Sequence, residues 1–516
     1  MREHSVFQSS SPWMESDMQS AFTPLTGEAC ADVCIVGAGI SGLTTAYCLL
    51  KEGRSVIVLD DNPIGYGESV RTTAHISHAL DDRYFGLEKI HGESGIKQAA
   101  ESHTRAIEKI EEIVLKEGIQ CEFERLDGYL FLADNDPVDI LSKELEAVHT
   151  AGLTEVELLD HLSLGERDAG PALRFPGQAT FHILRYLQGL AEAIVEQGGI
   201  IHTGTHVSKV EGGNPCRTET SEGHVVTSQD IVLATNVPIK DNVQIYAKQA
   251  AYRTYVIGCT IPKGSVENGL YWDTSGGEGS KQSAAYHYIR LWKQSKEDLL
   301  IIGGEDAKTG QHDDADARFN TLELWARNHF PMIQDIRWKW SGQVMESADG
   351  LAFIGKNPGD PNHMYIATGD SGNGITHGTI AGMLLTDLIL GVQNPWAELY
   401  NPTRTRFHAF KEIVKENTNV AKEMVEGYIL SDAVDAEDLS PNSGAVVRRG
   451  IKKIALSRDA EGTLREFSAV CPHRGCIVQW NSYEKSFDCP CHGSRFDAEG
   501  KVLNGPTAEG LSLLVS

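Results

Sequence analysis

Cys471-Pro-His473-Arg-Gly-Cys476 and Cys489-Pro-Cys491-His492-Gly-Ser494 form two short loops, with fifteen residues between His473 and Cys489. Each offers one thiolate and one imidazole, at C-x-H and C-x-x-H spacing. Zinc also accepts two cysteines and two histidines, but zinc modules pair Cys with Cys and His with His along the chain. Loops that mix the two suit a 2Fe-2S centre in which one iron takes two thiolates and the other two imidazoles. In this reading Cys471 and Cys489 hold one iron, and His473 and His492 the other. Such a centre moves one electron at a time, so the remaining chain must supply or use the electrons.

A second constellation lies near the N-terminus. Asp32-Val-Cys-Ile-Val36 reads as a buried strand, and Gly37-Ala-Gly39-Ile-Ser41-Gly42 opens a helix that runs to Lys51. A further strand over 55–59 closes on Asp60, eighteen residues after Gly42. In a βαβ unit these glycines let the backbone approach a pyrophosphate at a helix N-terminus, and the acid accepts hydrogen bonds from ribose hydroxyls. The motif alone does not separate FAD from NAD.

The totals frame these sites. At 516 residues the chain exceeds what one core serves, so two or three domains are expected. A formal net charge of −26 argues against nucleic acid or an anionic membrane as partner. The first 28 residues hold no apolar core of signal-peptide length, and no run approaches the ~20 apolar residues of a membrane span. A cytoplasmic protein is the expectation. Ten cysteines are too few for a secreted disulfide scaffold.

The elements that must position the two sites follow from patterning. Helical spacing with many charges over 84–118 predicts surface helices. Strands are predicted over 128–132, 200–202, 231–236 and 364–368, and helices over 186–198 and 317–329. The block 250–304 is strand-rich, with runs at 252–257, 285–292 and 299–302, and predicts an antiparallel sheet laid over the dinucleotide unit. Residues 395–435 read as polar and helical, and short strands follow the turn at Pro441-Asn-Ser-Gly444. The domain reading is therefore a lead-in over 1–31, an oxidoreductase domain over 32–395, a linker over 396–440 and a small β domain over 441–516.

Further segments carry a family resemblance. Gly65-Tyr-Gly67-Glu-Ser69, Ala234-Thr-Asn236, Asp349-Gly-Leu-Ala-Phe-Ile-Gly355 and Gly369-Asp-Ser-Gly372-Asn-Gly374-Ile-Thr376-His-Gly378 resemble the FAD-dependent D-amino-acid oxidase and glycine oxidase superfamily. That resemblance implies an α/β, Rossmann-like FAD domain with an antiparallel substrate sheet. It implies FAD contacts from Gly37, Gly39, Ser41, Gly42, Asp60, Gly67, Thr73, His75, Gly369, Gly372, Gly374 and Thr376. The last 75 or so residues resemble Rieske 2Fe-2S domains, including a Gly505-Pro506 loop that usually covers the cluster. Cys476 and Cys491 stand where respiratory-type Rieske proteins carry a disulfide, so they either pair or remain inert thiols. Ser494 matches a hydroxyl donor to a bridging sulfide, whereas Phe496 replaces a tyrosine, which implies a potential intermediate within the ~−150 to +300 mV Rieske range.

The resemblance implies oxidation of an amine or amino-acid-like substrate by hydride transfer, with electrons leaving singly through the cluster to an external acceptor. Tyr286, Tyr288 and Arg290 alternate on one face of a strand. Arg290 could clamp a substrate carboxylate or serve in a structural salt bridge. His75 could contact flavin or substrate, or be joined covalently to the flavin as in some family members. Two other functions stay in view: a redox sensor or electron-transfer protein without its own substrate, and a reductase feeding an oxygenase. The latter needs a 2-His-1-carboxylate site, and the close pair His75 and His78 lies in the flavin region.

Overall fold

The computed structural model describes residues 9–15, 22–134, 136–240, 243–276, 286–360, 363–429 and 436–514. Strand Ala29–Val36 lies at the centre of a mostly parallel sheet because its inner half is apolar on both faces. It pairs in parallel with Val56–Leu59 on one side and Val225–Leu233 on the other. Ile200–His202 extends the first side, and Met364–Thr368 the second. Helices Ile40–Lys51 and Gly374–Leu390 pack together beside this sheet. Gly382 permits that approach, since a Cβ there would overlap Thr44.

The second sheet has nine strands and is largely antiparallel, as the strand-rich block predicts. Gln249–Ile261 pairs with Asp298–Lys308 and Ile336–Ser347, and Tyr288–Trp292 pairs with Asp298–Lys308. Leu270–Asp273 is parallel to Glu124–Phe131, so the sheet is mixed at that point. Residue 285 of the predicted 285–292 strand lies outside the described residues.

The segment 84–118 departs from expectation. It forms one helix, Tyr84–Glu117, interrupted at Gly92, and its inner stripe of Ile96, Ala99, Ala100, His103, Ile107 and Ile110 is buried in the main core. The charges occupy only its outer face. Of the expected linker, Phe410–Ile429 is helical and packs across both halves of the molecule: Glu416 pairs with Lys308 (2.6 Å), and the Tyr428 hydroxyl donates to Gly475 O (3.0 Å). Beyond it, strands Ser443–Arg449, Lys452–Arg458 and Leu464–Ser468 form one small sheet, and four strands between Gln479 and Asn504 form another. Among the described residues no helix is long and apolar enough to cross a membrane.

Candidate cofactor and substrate sites

The glycine turn after Ala29–Val36 is built for close approach. Gly37 has φ +109°, and a Cβ there would strike Ala234 O. A Cβ on Gly42 would overlap Gly37 O, so only glycine lets the helix start this tightly against the turn. Asp60 closes the unit by accepting from the Ala38 and Asn62 amides (2.6 and 2.8 Å). Burial, then the neighbouring Asp61, pushes its pKa up to about 7.

A cavity of about 330 Å³ runs from this turn into the second sheet. Gly37, Gly39, Ser41, Asp60, Gly67, Thr73, His75, Gly372 and Gly374 line it. This cradle, with glycines at the approach points and an acid at the strand end, fits a dinucleotide. Gly42 and Gly369 stand behind the wall. Thr376 turns away from the cavity, its Oγ1 bonded to His103 Nδ1 (2.8 Å), so it is a helix-packing residue rather than a lining one.

Two sequence candidates for substrate work take other roles. Arg290 does not line the cavity: it is 1% exposed, its Nη1 donates to Thr73 O and Ala74 O (3.1 and 3.2 Å), and its guanidinium sits over the Trp13 ring. It braces the backbone beside the cavity and is not placed to clamp a carboxylate. His75 lines the cavity, but Nε2 donates to Ile289 O (3.1 Å) and Nδ1 accepts from Thr73 Oγ1 (2.9 Å). Burial, and next the Arg290 charge, lowers its pKa to about 3, so it is neutral with both nitrogens engaged. Tyr288 does face the cavity, and its hydroxyl meets Thr254 Oγ1 at 2.6 Å.

Sequence reasoning missed the carboxylates of this cavity. Asp81, Asp306, Glu346 and Asp370 all line it, from four distant segments. Asp81 accepts from the Tyr286 hydroxyl (3.2 Å) and lies so close to Gly372 that a side chain there would overlap its Oδ2. Burial raises Asp81 to about 7 and Asp306 and Asp370 each to about 6. Glu346 is raised well above the usual range by burial and then by the charges of Asp82, Asp81, Asp306 and Asp370. Among the described residues Arg71 is the only Arg or Lys in the lining, and its Nη1 is taken by Ser341 O (2.8 Å) and Ser9 Oγ (3.2 Å). No spacing signal joins four acids so far apart in sequence.

The two Cys/His loops converge at one end of the small β domain. Each is closed in the same way: Gly475 N donates to Cys471 O and Gly493 N to Cys489 O, with both glycines left-handed. The Cys471 and Cys489 thiols are in hydrogen-bonding contact, and the His473 and His492 rings lie 4.9 Å apart. Sγ atoms of Cys476, Cys489 and Cys491 also cluster within 4.8 Å, but Cys476 and Cys491 are joined as a disulfide, with Cα atoms 6.4 Å apart. That leaves two thiolates and two imidazoles as the donor set, which fits a 2Fe-2S centre of mixed ligation. Ser494 and Phe496 are fully buried, Phe496 in one cluster with the four loop cysteines.

These loops are docked on the larger domain. Both imidazoles face Tyr246, with ring centroids 4.6 and 5.8 Å away, and Tyr246 packs with Val237, Ala251 and Met345. Gln343 Nε2 donates to Gly493 O (3.0 Å), and a Cβ on Gly493 would overlap Ala251. Glu484 of the small domain meets Arg253 (3.0 Å) and Arg71 (3.8 Å) of the large one, and its own Arg495 (3.8 Å). Burial opposes its charge, yet the guanidiniums of Arg253, Arg71 and Arg495 hold its pKa down to about 2.

Comparison with known proteins accords with both sites. The family profile of FAD dependent oxidoreductases matches residues 32–388, and that of the Rieske 2Fe-2S domain matches 431–514. YhfW of Bacillus subtilis, named as a Rieske 2Fe-2S iron-sulfur protein, is 31% identical over 97% of this chain and 96% of its own. Gamma-glutamylputrescine oxidoreductase of Escherichia coli is 25% identical over 72% of this chain and 86% of its own. The crystal structure of glycine oxidase from Geobacillus kaustophilus superposes with a TM-score of 0.59 at 18% identity, covering 73% of this chain and 99% of that one.

Proposed function

From the premise that the chain belongs to the family of FAD dependent oxidoreductases and carries a C-terminal Rieske domain, we propose that it oxidises a cationic amine. Its cofactors are FAD and a 2Fe-2S cluster. When bound, FAD takes two electrons as a hydride from the carbon beside the amine nitrogen, and the cluster passes electrons one at a time to an external one-electron acceptor. Loss of that hydride and of a proton from nitrogen leaves an imine, which water converts to a carbonyl compound and a released amine or ammonia.

The observation that carries this reading is the carboxylate set over the glycine turn at 369–374. Four buried like charges repel one another, and a cation among them relieves that cost. Asp81, held near 7 and against Gly372, suits the task of taking the ammonium proton and freeing the nitrogen lone pair. Tyr286 and Tyr288 orient what enters, and Asp306, Glu346 and Asp370 hold a second positive group. With Arg290 turned into the backbone, the cavity offers no partner for a substrate carboxylate from that residue. The name of the E. coli relative, which gives a putrescine derivative as substrate, supports oxidation beside an amine nitrogen.

The docking of both imidazoles on Tyr246 supports electron flow within one chain. Tyr246 and Met345 stand between the histidine loops and the segment whose Ser371 amide donates to Met345 O (3.1 Å).

Anaerobic mixing with a panel of diamines, monoamines and amino acids tests the reading. Diamines are expected to bleach the flavin, with cluster reduction following, while amino acids do not. Half-saturation should fall as pH rises through 6 to 7, because the raised carboxylates become charged over that window and bind the cation. Bleaching by amino acids alone, or tighter binding at pH 5 than at pH 8, would overturn it.

A further inference from the structure

The cavity is not walled by the FAD domain alone. Val502, Leu503, Asn504, Gly505, Thr507 and Ala508, all from the small β domain, line it too. They face the end formed by Asp60, Asp61 and Asn62 and by Thr205, His206 and Val207. This is the end where the strand-terminal acid marks the adenosine ribose. We propose that residues 502–508 of the Rieske domain are part of the FAD site, closing over its adenosine end.

Four observations support the wall as built rather than incidental. Asn504 Nδ2 donates to Glu68 Oε1 (2.9 Å), and Glu68 Oε2 accepts from Gln343 N (2.6 Å). His206 Nε2 donates to Ala508 O (2.8 Å), while its Nδ1 faces Asp61 (3.2 Å). Both bonds cross between the domains, one at Asn504 and one at the segment's C-terminal end. Leu503, next to Asn504, is 37% exposed and is one of the residues lining the cavity, which puts an apolar residue at the end an adenine would fill. Gly505 packs on Val237 O and Ile239, which fixes the segment against the loop following Val225–Leu233.

The consequence is thermodynamic coupling. If FAD touches both domains, it binds best when they are docked, and by linkage its binding holds them docked. The inference concerns cofactor retention and holds whatever the substrate.

The test measures release of FAD from the holoprotein by the fluorescence of the liberated flavin, with no substrate present. Leu503→Ser and Asn504→Ala are each expected to speed release about tenfold, which is ~1.4 kcal/mol. The cluster absorbance should be unchanged, showing that the small domain remains folded. Ile451→Ala alters an exposed residue of the same domain outside the cavity lining and should leave release at the wild-type rate. Wild-type release in both Leu503→Ser and Asn504→Ala would overturn the proposal. So would equal acceleration by Ile451→Ala, since the effect would then not belong to the wall.

Discussion

Phe496 shows how one side chain can set the property of a site it does not ligate. It is fully buried beside the loop cysteines, where the resemblance implies a tyrosine hydroxyl donating to a ligand sulfur. A donor to sulfur stabilises the reduced, more negative cluster and raises its potential. One added hydrogen bond of net ~1 kcal/mol corresponds to about 40 mV for a one-electron couple. Phe496→Tyr is therefore expected to raise the midpoint by about that much in a redox titration followed by electron paramagnetic resonance. An unchanged or lower midpoint would count against it. The mixed Cys/His loops were legible in sequence because each keeps its Cys and His within three residues. The acids at 81, 306, 346 and 370 were not, since only the tertiary fold brings them together.

At the level of elements, strand Tyr288–Trp292 is tied to the 73–74 segment by a single cation. Arg290 satisfies two buried carbonyls, and burial lowers its own pKa to about 9. Arg290→Met should leave those acceptors without a donor and cost about 2 kcal/mol of stability in denaturant unfolding. The amine concentration for half-maximal flavin bleaching should stay within twofold of wild type. A tenfold rise in that concentration with unchanged stability would place Arg290 in substrate binding rather than in bracing the backbone. Alternation grouped Tyr286, Tyr288 and Arg290, but periodicity does not say whether a residue meets a cavity, as the two tyrosines do, or a neighbouring backbone, as Arg290 does. The helix Tyr84–Glu117 teaches the same lesson in reverse. Its many charges suggested a surface helix, yet the small and β-branched residues of its inner stripe are core.

At the scale of the whole molecule, Glu484 locks the two halves. Replacing it by Gln removes the carboxylate that, among the described residues, meets both Arg71 and Arg253 across the interface, leaving buried guanidiniums without their counter-charge. Glu484→Gln should destabilise the holoprotein by about 3 kcal/mol in chemical unfolding. Its folded pKa lies below the ordinary 4.5, so the contribution is complete above that value and is lost as pH falls toward 2. The variant's deficit should accordingly shrink in acid; a deficit that stays constant would dismiss the charge as its source. Sequence delimited two modules but carried no sign of how they dock, because docking depends on complementary surfaces such as Gly493 on Ala251 and Gly310 on Pro490. The helix Phe410–Ile429, bonded to one half through Glu416 and to the other through Tyr428, gives that docking a kinetic meaning. In the proposed function, donor and acceptor then belong to one chain and need not find each other by diffusion. On that reading their encounter would be unimolecular, its rate per molecule indifferent to dilution, and a cell holding only a few copies would lose nothing in the first half of the electron's journey.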